Sequence, residues 1–407
     1  MDGRGVRQRT TSARRHTPWQ GESMTKHAIV VGGGIGGLAA ALALHRIGWR
    51  ATVLERTPEL GEIGAGMSQA PNALRALAEL GVEEQARAAG VPTHASANLR
   101  LPDGRYLQQA RPGDHTAMLG FHRADLHQVL LGALPDGWVR TGAEVTAIRQ
   151  GTDAVAVTCG GGTELSAELV VAADGIHSTV RRLLWPDAPP PRFLGRTAWL
   201  GIAEVPGLPG SITLGPGGYF LVHPIARGRT YWAYVTTADK PGIRYDHEKS
   251  EVADRIAAWH EPLPSLIEAT PDDAVIHIDI HDLDPLPTYT RGRVALLGDA
   301  AHAMSPDRGQ GAGQSLEDAV VLAAALADEP AIETALHRYD AERRPRTQAT
   351  AKGARADGAR TTSKAAHRAL TTMIRLMPAS LWRKGISADG NTTWRWRPPR
   401  LSHDAAS

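Results

Sequence analysis

A short apolar run, His27 to Val31, is the first hydrophobic segment of the chain and reads as a buried strand. Gly36 to Ile47 has helical spacing and ends at Gly48, and Ala51 to Leu54 reads as the next strand, closed by Glu55. Together these form a β-α-β unit. Pro71 to Leu80 and Arg123 to Leu134 carry leucines at helical spacing. Val139 to Ile148 and Ala154 to Thr158 alternate as strands, and Gly160-Gly161-Gly162 reads as a hairpin turn before a strand at Glu164 to Glu168. Leu169 to Ala173 is apolar at every position, the habit of a parallel strand covered on both faces.

Pro186, Pro189, Pro190 and Pro191 then break the pattern and mark a crossing between domains. Ala198 to Ile280 is mostly strand-like, with a helix near Glu248 to His260 and a hairpin of Tyr219 to Ile225 and Thr230 to Thr237. Val294 to Leu297 returns to buried-strand character, and Ser315 to Leu326 predicts an alanine-rich helix. From Ala335 the chain reads as helical and arginine-rich, and finally proline-rich. There is no internal repeat.

Composition narrows the class. The 407 residues suffice for two domains, and 42% hydrophobic content is that of a soluble globular protein. One cysteine, Cys159, excludes an internal disulfide framework and a C-x-x-C redox pair, and fits a reducing, cytoplasmic setting. No run is long enough to cross a bilayer, so no membrane partner is expected. Arg4, Arg7, Arg9, Arg14 and Arg15 concentrate basic charge at the N-terminus, and the remainder is close to neutral, which argues against nucleic-acid binding. The first residues lack the apolar core of a secretory signal and are read as a disordered extension ahead of Met24.

Three glycine-aspartate signals each follow an apolar strand: Gly32 to Gly37, Asp174-Gly175 and Gly298-Asp299. In the first, Gly32 permits a tight turn, Gly34 lets the backbone approach a pyrophosphate, and Gly37 lets helix and strand pack closely. Glu55 is placed to accept from an adenosine ribose. Asp174 and Asp299 stand at strand ends, where a carboxylate binds a sugar hydroxyl, orients amides toward phosphate, or caps a helix. Pro306-Asp307-Arg308-Gly309-Gln310-Gly311, followed by Ala312, presents open amides ahead of a helix, a nest for an anion. Three signals so widely spaced point to one long dinucleotide, FAD rather than NAD.

The ordered set resembles the single-component, class A FAD-dependent aromatic monooxygenases of the salicylate and hydroxybenzoate hydroxylase type, from about Lys26 to Pro345. The resemblance implies an α/β fold with a Rossmann-like FAD-binding domain, a β-rich substrate domain and a C-terminal helical region. The expected boundaries are 1–25 for the extension; 26–100, 120–185 and 286–345 for the FAD-binding domain; 101–119 and 186–285 for the substrate domain; and 346–407 for the helical region and tail. It further implies that Gly32, Gly34, Gly37 and Glu55 hold the ADP half of FAD, and that Asp299 and Gly298 lie at the ribitol or pyrophosphate. Asp174 and Gly175 belong to a motif linked to FAD and NAD(P)H, Arg123 reaches toward FAD, and Pro306, Gly309, Gln310, Gly311 and Ala312 face the isoalloxazine. No second strand-linked glycine motif offers a separate domain for NADH or NADPH, which fits a transient co-substrate. In that family the reduced flavin captures O2 as a C4a-hydroperoxide and oxygenates an electron-rich carbon, by hydroxylation or epoxidation. An oxidase or dehydrogenase on the same fold and a non-catalytic flavin carrier are the alternatives.

The substrate side is read from strand alternation. Tyr219, Leu221 and His223 share one face, Tyr231 and Ala233 share a face of the partner strand, and Trp232 and Tyr234 lie opposite. Either face offers aromatics for a pocket, and His223 is a candidate base toward a phenol, with Tyr219 and Pro306 beside it. These aromatics also suit plain domain packing. No metal is expected. Leu200 stands where related sequences often carry arginine, which favours a less acidic substrate than a simple benzoate. Trp394-Arg395-Trp396 has the form of a halogenase signature but lies near the C-terminus and is set aside. A monomer or a homodimer is expected to act on an aromatic or conjugated small molecule with O2.

Overall fold

In the computed structural model, which describes residues 26–61, 65–93, 96, 98–110, 118–360, 364–386 and 391–401, His27–Val31 is a central strand of a six-stranded sheet. The order across that sheet is Thr290–Arg291, Val294–Leu296, Leu169–Ala172, His27–Val31, Arg50–Leu54, Val139–Arg140. All neighbours are parallel except the first pair. The extension 1–25 and the stretch 111–117 lie outside the described residues.

Two helices cover this sheet and explain its apolar strands. Ile35–Arg46 and Gly311–Asp328 are buried along most of their length, with alanine and glycine at positions where bulk would hold them apart. A helix apolar on all sides belongs in the interior. The first strand-to-helix turn is equally tight. A methyl group on Gly37 would lie 1.9 Å from the Gly32 carbonyl oxygen, and Gly32 itself has φ +106°.

Two sequence expectations change. Val139 to Ile148 is not one strand: Gly142, at φ +64°, turns the chain out of the parallel sheet after Arg140. Val145–Gln150 then joins Val155–Cys159 and Glu164–Ala167 in a separate antiparallel sheet, with the glycine triplet as its turn. The boundary expected at 345/346 falls inside one helix, Ile332–Ala359, which carries Pro345 in its interior.

The second large sheet has seven strands: Ile276–Asp282, Arg192–Ala203, Arg229–Thr237, Gly218–Ile225, Ser211–Gly215, Leu99–Arg100 and Tyr106–Gln108. Its alternation divides two environments. Trp199, Phe220, Trp232 and Tyr234 pack under the helices Glu248–Ile256 and Leu263–Glu268. Ala198, Leu200, Tyr219, Leu221, His223, Tyr231 and Ala233 face the other way, into a cavity. A three-stranded sheet of Gly66–Gln69, Met118–His122 and Val91–Thr93 lies against this second face. Gly66 makes that approach possible, because a methyl group there would lie 2.1 Å from the Tyr231 ring.

A buried charge cluster ties the layers together. Glu317 and Asp318, on the helix Gly311–Asp328, and Arg343, on Ile332–Ala359, are fully enclosed. Arg343 donates to Glu317 Oε2 at 2.5 Å, to Asp318 Oδ1 at 2.6 Å and to Gln314 Oε1 at 2.9 Å. Asp318 Oδ2 accepts the Gly298 N–H at 3.0 Å and lies 2.5 Å from His302 Nε2. Glu317 Oε1 accepts from Asn72 at 2.7 Å and from Arg346 at 2.8 Å. Asn72 also donates to Gln310 at 3.0 Å, and Arg346 to the Thr393 carbonyl at 2.8 Å. Burial pushes the Asp318 carboxyl up, but His302 and Arg343 prevail and hold it down at about 2.

Three outcomes follow from these contacts. Gly37→Val is expected to abolish retention of the bound dinucleotide, because backbone cannot yield to the added carbons; cofactor content after gel filtration checks it. Arg343→Met removes the one cation that two buried carboxylates share, leaving Glu317 with Arg346 and Asp318 with His302, and should cost about 3–5 kcal/mol, read from denaturant midpoints. Asp318 has a folded pKa below its unfolded value, so its contribution is full above about pH 4 and is lost as pH falls toward about 2. Thermal melts across that window should show a steeper fall for the parent than for Asp318→Asn.

Candidate functional site

The site is one cleft built from three segments of cavity. The first, of about 230 Å³, is lined by Gly32, Gly34, Glu55, Arg56, Thr57, Ala143, Asp174, Gly175 and His177. Glu55 ends its strand here. Its Oε2 accepts the Gly33 N–H at 2.7 Å and its Oε1 accepts the Thr57 N–H at 2.9 Å and the Thr57 hydroxyl at 3.1 Å. Burial pushes this carboxyl up, but the Thr57 and Gly33 amides prevail and hold it below its usual value. A pinned, ionised acid beside a glycine turn suits a ribose hydroxyl and repels a 2′-phosphate. Thr57 had no signal in the sequence beyond its closeness to Glu55.

Asp174 has a different local role from the one a sugar contact would give it. It accepts from Ser178 Oγ at 2.5 Å and from the Thr179 and Val180 amides at 2.8 and 3.1 Å, so its carboxylate caps the helix Thr179–Leu184. Arg181 of that helix donates to the Ala300 carbonyl at 2.8 Å. The cap thus braces the turn that leads into Asp299.

The second segment, about 420 Å³, shares Gly34, Ala173 and Gly175 with the first and runs past Arg123, Gly298, Asp299, Gly309, Gln310, Gly311 and Ala312. Gly298 adopts φ +60°, and Asp299 opens a short helix with its side chain exposed to the cleft. Arg123 is the first residue of the helix Arg123–Gly132, and its N–H donates to the Ala65 carbonyl at 2.9 Å. The expected loop is a tight turn, Pro306–Arg308, followed by Gly309 in the left-handed region at φ +58°, and the next helix begins at Gly311, four residues ahead of the expected Ser315. Gln310 is its cap, and the first intrahelical bond is Gln314 N–H to the Gln310 carbonyl at 2.8 Å. The amides of Gly311, Ala312 and Gly313 therefore have no intrahelical acceptor, and glycine keeps side chains out of their way.

The third segment, about 550 Å³, opens beyond Tyr219, Leu221, His223, Pro306, Gly309 and Gln310, which it shares with the second. Its other walls include the apolar Ile212, Leu214, Met118 and Trp394 and, at its polar side, Asp307, Arg308, Asp357, Asn391 and Thr392. The strand face predicted by alternation, Tyr219, Leu221 and His223, is thus the one that meets the cleft, joined by Tyr231 and Ala233, while Trp232 and Tyr234 are packing residues. His223 is buried, with Nδ1 2.9 Å from Thr93 Oγ1. Burial and the Asp307 carboxylate push the Tyr219 phenol far above its usual range, so it remains a protonated donor.

Several wall residues had no sequence signal. Arg196 is buried and donates to Asp307 Oδ2 at 2.6 Å, and its guanidinium lies 5.7 Å from the Tyr219 ring centre. This pair fastens the seven-stranded sheet to the Pro306–Arg308 turn. Trp394, set aside in the sequence, is a buried wall of the third segment, because Arg75 donates to its carbonyl at 2.6 Å and draws the C-terminal segment back.

The cleft fits a bound FAD. It is elongated and continuous, has an acid beside the glycine turn at one end, and presents two helix N-termini along its middle, those of Ile35–Arg46 and Gly311–Asp328. Gly32, Gly34, Glu55, Asp299 and Gly311 to Gly313 are the residues that would hold it.

Comparison with known proteins agrees. The family model "FAD binding domain" matches residues 25–354. Aurachin C monooxygenase/isomerase of Stigmatella aurantiaca is 40% identical over 324 residues, covering 77% of this chain and 84% of the relative. Salicylate hydroxylase of Pseudomonas putida is 35% identical over 365 residues, covering 78% and 82%. The crystal structure of Klebsiella pneumoniae HpxO complexed with FAD and uric acid superposes with a TM-score of 0.81 at 29% identity, covering 89% of this chain and 96% of that one. On the span of the family match and these identities, the chain belongs to the FAD binding domain family and is an FAD-dependent monooxygenase of the aromatic hydroxylase type.

Proposed function

We propose that this flavoenzyme consumes NADH or NADPH and O2 to hydroxylate or epoxidise an aromatic or conjugated small molecule that carries no net charge. The observation that carries this reading is the apolar wall facing the flavin loop. Ala198, Leu200, Leu221, Ala233, Val235 and Ile278 line the second segment, and Ile212, Leu214 and Met118 the third. The charged residues on the third segment neutralise one another or a neighbour: Arg308 pairs with Asp357 at 2.6 Å, and Asp307 with Arg196. A carboxylate on the substrate would find no built counter-charge there, and burying it would be costly.

Bound FAD would supply the hydride acceptance and the oxygen activation. The chain supplies the rest. The amides of Gly311 to Gly313, which have no intrahelical acceptor, would favour negative charge on a cofactor held beside them. Tyr219 offers an O–H donor in the cavity. His223, steadied by Thr93, is placed to take a proton from a ring hydroxyl and so raise the electron density of the ring. The aliphatic walls exclude water. Relatives act on aurachin C, urate and salicylate, and the fold accommodates such differences by changing the wall.

Aerobic NAD(P)H oxidation by the FAD-loaded protein tests this reading. A neutral phenol or quinolone should accelerate nicotinamide use and gain one oxygen atom by mass. Peroxide formation with no oxygenated product, across a panel of such compounds, would instead assign an oxidase. His223→Ala is expected to lower kcat on a phenolic substrate by about 10²-fold with flavin content unchanged. Leu200→Arg places a cation in the apolar wall and should cost at least about tenfold on the neutral substrate while improving the relative rate on a benzoate.

A further inference from the structure

The two C-terminal helices carry a surface that the reaction does not use. Lys364–Leu376 has one broad apolar face with two edges. One holds His367, Leu370 and Ile374, packed toward Leu99 and Leu214 of the seven-stranded sheet. Gln108 fixes this face by donating to the Ile374 and Met377 carbonyls at 3.1 and 3.3 Å. The other edge, with Ala369, Met373 and Leu376, is exposed. Met373 is 52% exposed and Leu376 77%, and on the following helix Ala379–Ile386 Leu381 is 59% exposed.

That concentration is unusual for this molecule. Only six large hydrophobic side chains stand exposed among the described residues; three are these, and a fourth, Tyr106, is on the edge strand bearing Gln108. The charge carried by the two helices themselves has one sign. Between Lys364 and Ile386 the sequence holds Lys364, Arg368, Arg375, Arg383 and Lys384 and no acidic residue. Arg368, Arg375 and Lys384 are exposed beside the apolar groups.

We propose that this helical pair is a membrane-surface contact, lying on an anionic bilayer and admitting an apolar substrate from it. The claim about the substrate rests on the function proposed above; the claim about the lipid surface does not. An exposed apolar edge on helices whose only charged residues are cations is the pattern of a helix that lies in the headgroup region. A second copy of the chain is the poorer occupant, because a two-fold interface would bring the same cations face to face. Among the described residues no helix is long and apolar enough to cross a membrane, so the contact is one of lying on the surface. The position is also apt. Gly385 of the second helix lines the third cavity segment, and Trp382 donates to the Ser96 carbonyl at 3.2 Å on the same wall. The surface patch and the substrate cavity are therefore two sides of one helical roof.

The test is cosedimentation of the FAD-loaded full chain with phosphatidylcholine vesicles, with and without phosphatidylglycerol. Binding should require the anionic lipid, weaken with added salt, and fall at least about tenfold in a triple variant Met373→Ser, Leu376→Ser, Leu381→Ser. That variant should keep its flavin and its rate on a water-soluble substrate. Absence of binding to anionic vesicles overturns the proposal, as does equal binding by the triple variant. Self-association of the parent that the triple variant abolishes, without vesicle binding, assigns the patch to a dimer instead. If vesicles bind but no tested compound is oxygenated, the surface stands and the substrate reading fails.

Discussion

Two carboxylates buried side by side on one helix set the terms for this structure. Glu317 and Asp318 are fully enclosed, and such charges are tolerated only with full compensation. Compensation comes from Arg343 on a helix far along the chain, from Asn72 on an early one, from the Gly298 amide at a strand end, and from His302. The partners come from separate segments and meet only when the helices and the parallel sheet are in their native arrangement. The cluster adds specificity of assembly to a core otherwise built of interchangeable alanine, valine and leucine. It also grips both turns that shape the flavin cleft, at Gly298 and at Gln310.

A second buried pair extends this control to the substrate side. Arg196 and Asp307 span from the seven-stranded sheet to the Pro306–Arg308 turn that lines the cleft. Tyr219 lies against that pair and holds its proton. One side of the cleft is thus set by amides and acids near the glycine turns, and the other by an apolar sheet face held at fixed distance. The division matches the needs of the chemistry, in which a charged cofactor must meet an uncharged carbon with water kept away.

Much of the cofactor side was legible because its physics is local. Gly32 and Gly37 are demanded by backbone approach, and that demand appears in the sequence as glycine at fixed spacing after an apolar strand. Strand alternation placed Tyr219, Leu221 and His223 on one face, although it did not decide between that face and the one bearing Trp232 and Tyr234. The choice depended on two helices, of which only Glu248–Ile256 was anticipated. Pairings across long separations were invisible, as with Arg196 and Asp307, or Arg75 and the Trp394 carbonyl, since a single charged residue carries no mark of its distant partner. Asp174 shows a further limit: a strand-end aspartate reads alike as ligand or cap, and only its three donors reveal the cap.

A flavin ring held along Pro306 to Ala312 would face an apolar pocket walled by Leu200, Tyr219, Leu221 and His223. A crystal structure of the FAD-loaded protein with a neutral aromatic substrate tests it most directly. The substrate ring is expected between the flavin and that strand face, with its reactive carbon toward the isoalloxazine and His223 near a ring hydroxyl. A substrate bound away from this wall, or a flavin whose ring lies outside the cleft beside Gly311, would contradict it.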